Sequence, residues 1–198
     1  MTLASKILQR GSRTASLAAL CWIALGLDSI LRPAQINARD TWCMLPFLLT
    51  TAAFWFVHRV QVPRTGMLGR AAFYALMIAS ALAIAGSIGI QAEQPALAAL
   101  GFPGGAVIWA AGLTVFGIAT VRAGVFPRFV GIALLLLEPG SILTGLALAP
   151  ISPLHDRGSY SAGVEKGLAL ALVSYGFMIL QERSAALNPT AALLQTEA

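Results

Sequence analysis

The sequence predicts an all-α fold: a polytopic transmembrane bundle of six helices with both termini in the cytoplasm. Three observations predict it. Hydrophobic residues make up 58% of the 198 positions and charged residues only 11%, against roughly 25% charged in soluble domains. A soluble surface could not be covered by so few charges, whereas an outer surface that meets lipid needs none. The apolar residues fall into six stretches, 13–31, 41–57, 68–91, 102–121, 129–149 and 162–181, each long enough at 1.5 Å per residue to cross a core about 30 Å thick. The basic residues flank these stretches, with far more of them on one side than on the other.

The first stretch follows Lys6, Arg10 and Arg13 and so imitates a signal peptide. Its apolar run reaches Leu31, which is longer than a signal core, and it is read as a retained helix. Leu20 is too bulky to precede a lipid-modified Cys21. Residues 1–12 carry the pattern of a basic helix on the inner leaflet, with Leu3, Ile7 and Leu8 toward lipid. The second stretch only just spans. The breaks carry turn chemistry: Arg32-Pro33, Val62-Pro63, Gln94-Pro95, Phe126-Pro127 and the region from Pro150 to Pro153. No stretch alternates as a membrane β-strand would. Residues 1–183 thus form a single six-helix domain, and 184–198 read as a flexible cytoplasmic tail. Almost nothing remains for a soluble domain, so any activity belongs to the bundle or its short loops.

Charge sets the orientation. One side collects nine cations: Lys6, Arg10, Arg13, Arg59, Arg64, Arg70, Arg122, Arg128 and Arg183. The other holds four, Arg32, Arg39, Arg157 and Lys166, all read as flanking charges. Basic loops stay in the cytoplasm, which places both ends inside an inner (plasma) membrane. The formal charge of +5 is therefore read as topology-setting rather than as a nucleic-acid surface, with the lipid bilayer as the partner. Trp42, Trp55 and Tyr160 fall near helix ends, where amphipathic rings settle at headgroup depth, and Trp22 and Trp109 fall deeper as packing residues. Cys21 and Cys43 form no CxxC and read as small apolar residues.

Between helices in lipid, close packing favours small residues. Helix three carries Ala72, Ala75, Ala79, Leu82, Gly86 and Gly89 in a stripe, and helix six carries Gly163, Gly167 and Ala171. Helix four repeats Gly105, Gly112 and Ala119 every seven residues. The partner of each stripe is either another helix of the chain or a second copy.

Glu138 is the residue that most needs explaining. A carboxylate near the middle of the fifth stretch costs several kcal/mol unless it faces protein or water. Gly131, Ser141 and Gly145 share its face. Pro139, next in the chain, frees the carbonyl of Leu135 and should kink the helix. With Ser141, this acid is a candidate ion- or ligand-binding site; its structural alternative is a brace for the kink. Asp28 is the second candidate, either an entrance toward Glu138 or half of an interfacial pair with Arg32 four residues on. In the outer loop, His155 and Asp156 give only two adjacent ligands, too few for a metal. His58 lies at the opposite surface, which argues against a bis-histidine haem. No cofactor is expected, and no HExxH, GxSxG or GxxxxGK[ST] occurs.

The stretch from Phe116 to Leu135, FGIATVRAGVFPRFVGIALL, resembles a hairpin common in small uncharacterised bacterial multi-spanning membrane proteins, in which an Arg-x-Gly-x-x-Pro-Arg turn joins two apolar helices. Here the turn is Arg122, Gly124, Pro127 and Arg128. The resemblance covers about a tenth of the chain and implies a helical bundle in a bacterial inner membrane. It supplies no activity. Three readings follow: a non-catalytic accessory subunit or small-ligand binder, alone, as a homo-oligomer or in a larger membrane complex; a proton- or cation-coupled transporter using Glu138; and a membrane enzyme using the outer-face groups Asp28, His155 and Asp156.

Overall fold

A computed structural model describes residues 3–32, 41–148, 150–151 and 162–187. These residues are helical almost throughout, and no strand occurs among them. The helices are α1 (Leu3–Leu31), α2 (Met44–Gln61), α3 (Gly66–Gln91), α4 (Pro95–Ala99), α5 (Ala106–Ala123), α6 (Arg128–Leu136), α7 (Pro139–Leu148) and α8 (Gly163–Leu187). A π-helical segment, Leu100–Gly105, joins α4 to α5 without interruption. Arg39, Asp40, His155, Asp156, Arg157, Tyr160 and the tail from residue 188 lie outside the described residues.

Four helical units are long and apolar enough to cross a membrane: Ala4–Leu31, Gly66–Gln91, Pro95–Ala123 and Gly163–Leu187. The other two expected spans fall short for identifiable reasons. Helix α2 carries His58, Arg59 and Gln61 in its last turn, and the fifth stretch is divided into α6 and α7, each of ten residues or fewer. The first helix is a correction of a different kind. It runs unbroken from Leu3, so residues 3–12 continue the long helix instead of forming a separate surface helix. Leu8, expected to face lipid, is buried, and Gly11 lies against the ring of Phe177 on α8.

Neighbouring helices close into a ring in the order α1, α2, α3, α5, α6, α8 and back to α1. Adjacent members run antiparallel. Along α1 and α8, Gly11 meets Phe177, Ala19 meets Gly167, and Gly26 meets Gly163. Along α3 and α5, Gly69 meets Ala119, Ala72 and Leu76 meet Gly112, and Ala79 and Leu82 meet Gly105. The seven-residue repeat of Gly105, Gly112 and Ala119 is thus the strip on which α3 lies. Gly117 and Gly131 sit face to face where α5 meets α6. Aromatic rings of α2 and α5 fill the middle, with Phe54 wedged against Trp109 and Phe116 at 5.6 and 6.2 Å between centroids. His58 stacks on Phe73 at 4.0 Å, and Gln61, fully buried, donates to Thr120 Oγ1 at 3.0 Å. This arrangement gathers the expected cytoplasmic cations at one end of the bundle.

The small residues of α3 and α8 contact helices of the same chain. Gly86 and Gly89 lie against the backbone of residues 97–101, where the wide π turn accommodates Pro103, which has no N–H to donate. Gly163 and Gly167 lie against α1: a Cβ at either would come within 2.6 Å of a carbonyl oxygen, that of Trp22 or of Ala19. Ala171 does not belong to this face and is exposed. At 100° per residue the line from Gly163 through Gly167 continues to Leu170, Ser174 and Phe177, all buried, and eight residues carry Ala171 about 80° around from Gly163.

A leucine at Gly167 has no room, and overpacking of this kind costs about 1–3 kcal/mol. Gly167→Leu is expected to lower the melting temperature in detergent, followed by circular dichroism. Ala171→Leu, on the exposed side of the same helix, is expected to leave it nearly unchanged.

Candidate functional site

The helix break comes from local chemistry. The N–H of Leu137 reaches back only three residues, to Leu134 O at 3.4 Å, and Pro139 has no N–H to carry the ladder on. The carbonyl of Glu138 then begins a new helix, accepting from Ile142 N at 3.0 Å and from Ser141 Oγ at 2.9 Å. Pro139 accordingly occupies the first position of α7, where proline is tolerated. Leu137 is buried, and the Glu138 side chain, 14% exposed, turns toward α8.

There it meets Lys166. The ammonium lies 2.7 Å from Glu138 Oε2, with the lysine side chain 13% exposed. The approach is that of an ion pair, since Oε2 has no aligned hydrogen bond. The same ammonium stands 5.0 Å from the centroid of the Trp22 ring on α1, within range of a cation–π attraction. Trp22 is fixed in turn: its Nε1 donates to Thr50 Oγ1 at 3.0 Å, and Thr50 donates to the carbonyl of Pro46 at 2.7 Å. Its ring meets Phe47 edge-on, and Phe47 meets Trp109 edge-on. A second carboxylate is close by. Glu165 Oε1 occupies the space that a side chain at position 140 would fill, so Gly140 makes room for it. Glu165 Oε2 is buried without a hydrogen-bond partner.

The cluster therefore sets two carboxylates, Glu138 and Glu165, against one ammonium. With all three ionised it carries one net negative charge in a mostly water-excluded place. Chemically it suits uptake of a proton or a small cation, and it contains no nucleophile held by a base. Ser141 is buried, but its hydroxyl is turned to the Glu138 carbonyl and away from the carboxylate. Asp28 pairs with Arg32 on its own helix at the bundle's end, whereas Glu138 takes Lys166. No group of three metal-ligating side chains occurs among the described residues.

Lys166, Glu165 and Trp22 were missing from the sequence-based site. Lys166 counts there as a flanking charge, yet it lies inside the bundle. A signal was present for Lys166, which stands three residues after Gly163 and so on the same side of the helix as the packing glycines; Glu165, about 200° around from Gly163, carried none. The fold and site together define an α-helical bundle with membrane-capable helices and a partly enclosed charged cluster. Comparison with protein-family models, with curated proteins and with solved structures gave no match.

Removing one partner of a buried ion pair leaves the other uncompensated, which costs about 3–5 kcal/mol in well-buried cases. Lys166→Met should lower thermal stability in detergent, toward the lower end of that range given the partial exposure. Glu138→Gln combined with Lys166→Met should recover much of the loss. A double-mutant cycle on melting temperatures measures the coupling, and additive losses would mean that the two groups do not interact.

Proposed function

We propose that the chain is a non-catalytic, six-span membrane protein with both termini cytoplasmic, and that it binds a small cation or a proton at the Glu138–Glu165–Lys166 cluster. The observation that carries this reading is the excess of one carboxylate over the available ammonium beside a broken helix. Lys166 answers Glu138, while the buried Glu165 oxygen has no partner, so the group to be neutralised by a ligand is Glu165. Two features support six spans. The antiparallel ring has six places, and α2 and the α6–α7 pair occupy the two that are not filled by the four long apolar units. At 1.5 Å per residue, the 18 residues of α2 extend about 27 Å, close to the thickness of a bilayer core. The concentration of cations at one end supports cytoplasmic termini, and the likeness of the Phe116–Leu135 hairpin supports a bacterial inner membrane.

A cation-coupled transporter is the second reading, favoured by the discontinuous helix itself. Half-helices that meet at membrane depth are where carriers hold coupling ions.

Two measurements test the proposal. A fluorescent reporter fused after residue 198 should light up in the cytoplasm, and alkaline phosphatase fused there should stay inactive; the reverse pattern would overturn the topology. In detergent, sodium or potassium chloride should raise the melting temperature relative to choline chloride at equal ionic strength, and Glu165→Gln should abolish the difference. An ion response that survives in Glu165→Gln would remove the cluster from consideration. Gradient-driven flux in liposomes that disappears in Glu138→Gln would decide for transport over binding alone.

A further inference from the structure

A second feature lies at the other end of the bundle. Lys166 and Arg183 are seventeen residues apart on α8, about 26 Å along the helix. At the cationic end a cavity of about 450 Å³ opens among three separate pieces of chain. Val60, Pro63 and Arg64 come from the end of α2 and the turn after it, Gly124 and Val125 from the turn between α5 and α6, and Arg183 from α8. Its size falls within the roughly 300–1,000 Å³ common for small-molecule sites. Both charged residues that line it are arginines, and no carboxylate lines it. Neither guanidinium has an ion-pair partner among the described residues.

The plain explanation is that these arginines complement helix ends, since α2 and α5 both finish here and point their last carbonyls this way. Magnitudes decide against that as the whole account. Each helix C-terminus is worth about half a negative charge and each N-terminus about half a positive one. Helix α8 also ends here, and α3 and α6 begin beside the same turns, so the helix ends leave at least about one of the two guanidinium charges unanswered. Gly124 closes α5 in the left-handed conformation, with φ of 59°, and open space where a side chain would stand. A ligand can therefore approach the backbone of that turn. Val60, Pro63 and Val125 give the remaining wall an apolar character.

We infer that this cavity holds the phosphodiester of an anionic glycerophospholipid, with Arg64 and Arg183 as its ligands and the apolar wall against the glycerol. A phosphodiester carries a single negative charge, of the sign that two unpaired guanidiniums call for. Guanidinium forks match its oxygens, and basic pockets at the ends of membrane helices are suited to such headgroups. A phosphatidylcholine headgroup fits less well, because its quaternary ammonium would face the same two cations.

The test is thermal denaturation of the full chain in mild detergent, with phosphatidylglycerol, phosphatidylcholine or inorganic phosphate added. The expected result is a rise of roughly 4 °C with phosphatidylglycerol, little with phosphatidylcholine, and loss of the response in Arg64→Gln/Arg183→Gln. The control Arg13→Gln/Arg70→Gln removes the same charge from exposed positions outside the cavity and should keep the response. Both arginines of the cavity are exposed, so their replacement leaves the core intact, and the lipid comparison on the unaltered chain stands independently of any variant. If inorganic phosphate alone gives the same arginine-dependent rise, the site is supported and its phosphate comes from solution. No rise with either compound, a rise that persists without Arg64 and Arg183, or an equal loss in the control would overturn the site.

Discussion

Helix α8 lies so close to α1 that no side chain fits at Gly163 or Gly167. In lipid such an approach gains nothing from burying apolar surface, because the tails are as apolar as the neighbouring helix. What holds the pair is dense contact over many atoms, extended by hydroxyls: Ser12 and Ser16 of α1 both reach Ser174 Oγ of α8, at 3.0 and 2.8 Å. The charged cluster depends on this contact. Lys166 stands between the two glycines in sequence, and the closeness they permit sets its ammonium against the Trp22 ring and the Glu138 carboxylate. If α8 were pushed away by a few ångströms, Lys166 would lose both partners and the break at Glu138 would lose its counter-charge.

The helical stretches were legible from apolar length and proline punctuation, and those signals are local. The site was legible only in half. Glu138 stands out because an acid inside an apolar run has few explanations, and Pro139 marks the break next to it. Lys166 and Glu165 lie near the start of their stretch, where charges ordinarily face headgroups and water. Whether such a charge turns inward depends on which helix lies alongside, a long-range fact that charge counting cannot supply. Trp22 was assigned to packing from its depth alone, and its second role toward Lys166 depends on the same contact.

The differences in the fold have similar origins. Ala171 fits a small-xxx-small pattern with Gly167, but the face turned to α1 follows alternating steps of four and three, which lead to Leu170. From sequence, the fourth stretch starts at residue 102, after the break at Gln94-Pro95. The chain instead remains helical from Pro95 by widening into a π turn, with Gly86 and Gly101 of neighbouring segments packed backbone to backbone. A proline signals the loss of one hydrogen bond. Whether the helix ends or only loosens is decided by what packs against the loosened turn, here the glycines of α3.

The relation between the two carboxylates and the lysine constrains what the cluster can do. An isolated Glu138 would be an obvious seat for a free cation, but Lys166 already fills that role as a cation tethered to the fold, which makes Glu138 chiefly a positioning group for the break and for α8. Glu165 differs, since its buried Oε2 has no hydrogen-bond donor and its Oε1 lies where a side chain at Gly140 would stand. Neutralising it removes one of the cluster's two carboxylate charges and leaves the ion pair between Lys166 and Glu138 as it stands. On the proposed reading, a response to ions therefore runs through Glu165, next in the chain to Lys166, and leaves the Lys166–Glu138 pair in place as the brace between α8 and the broken helix.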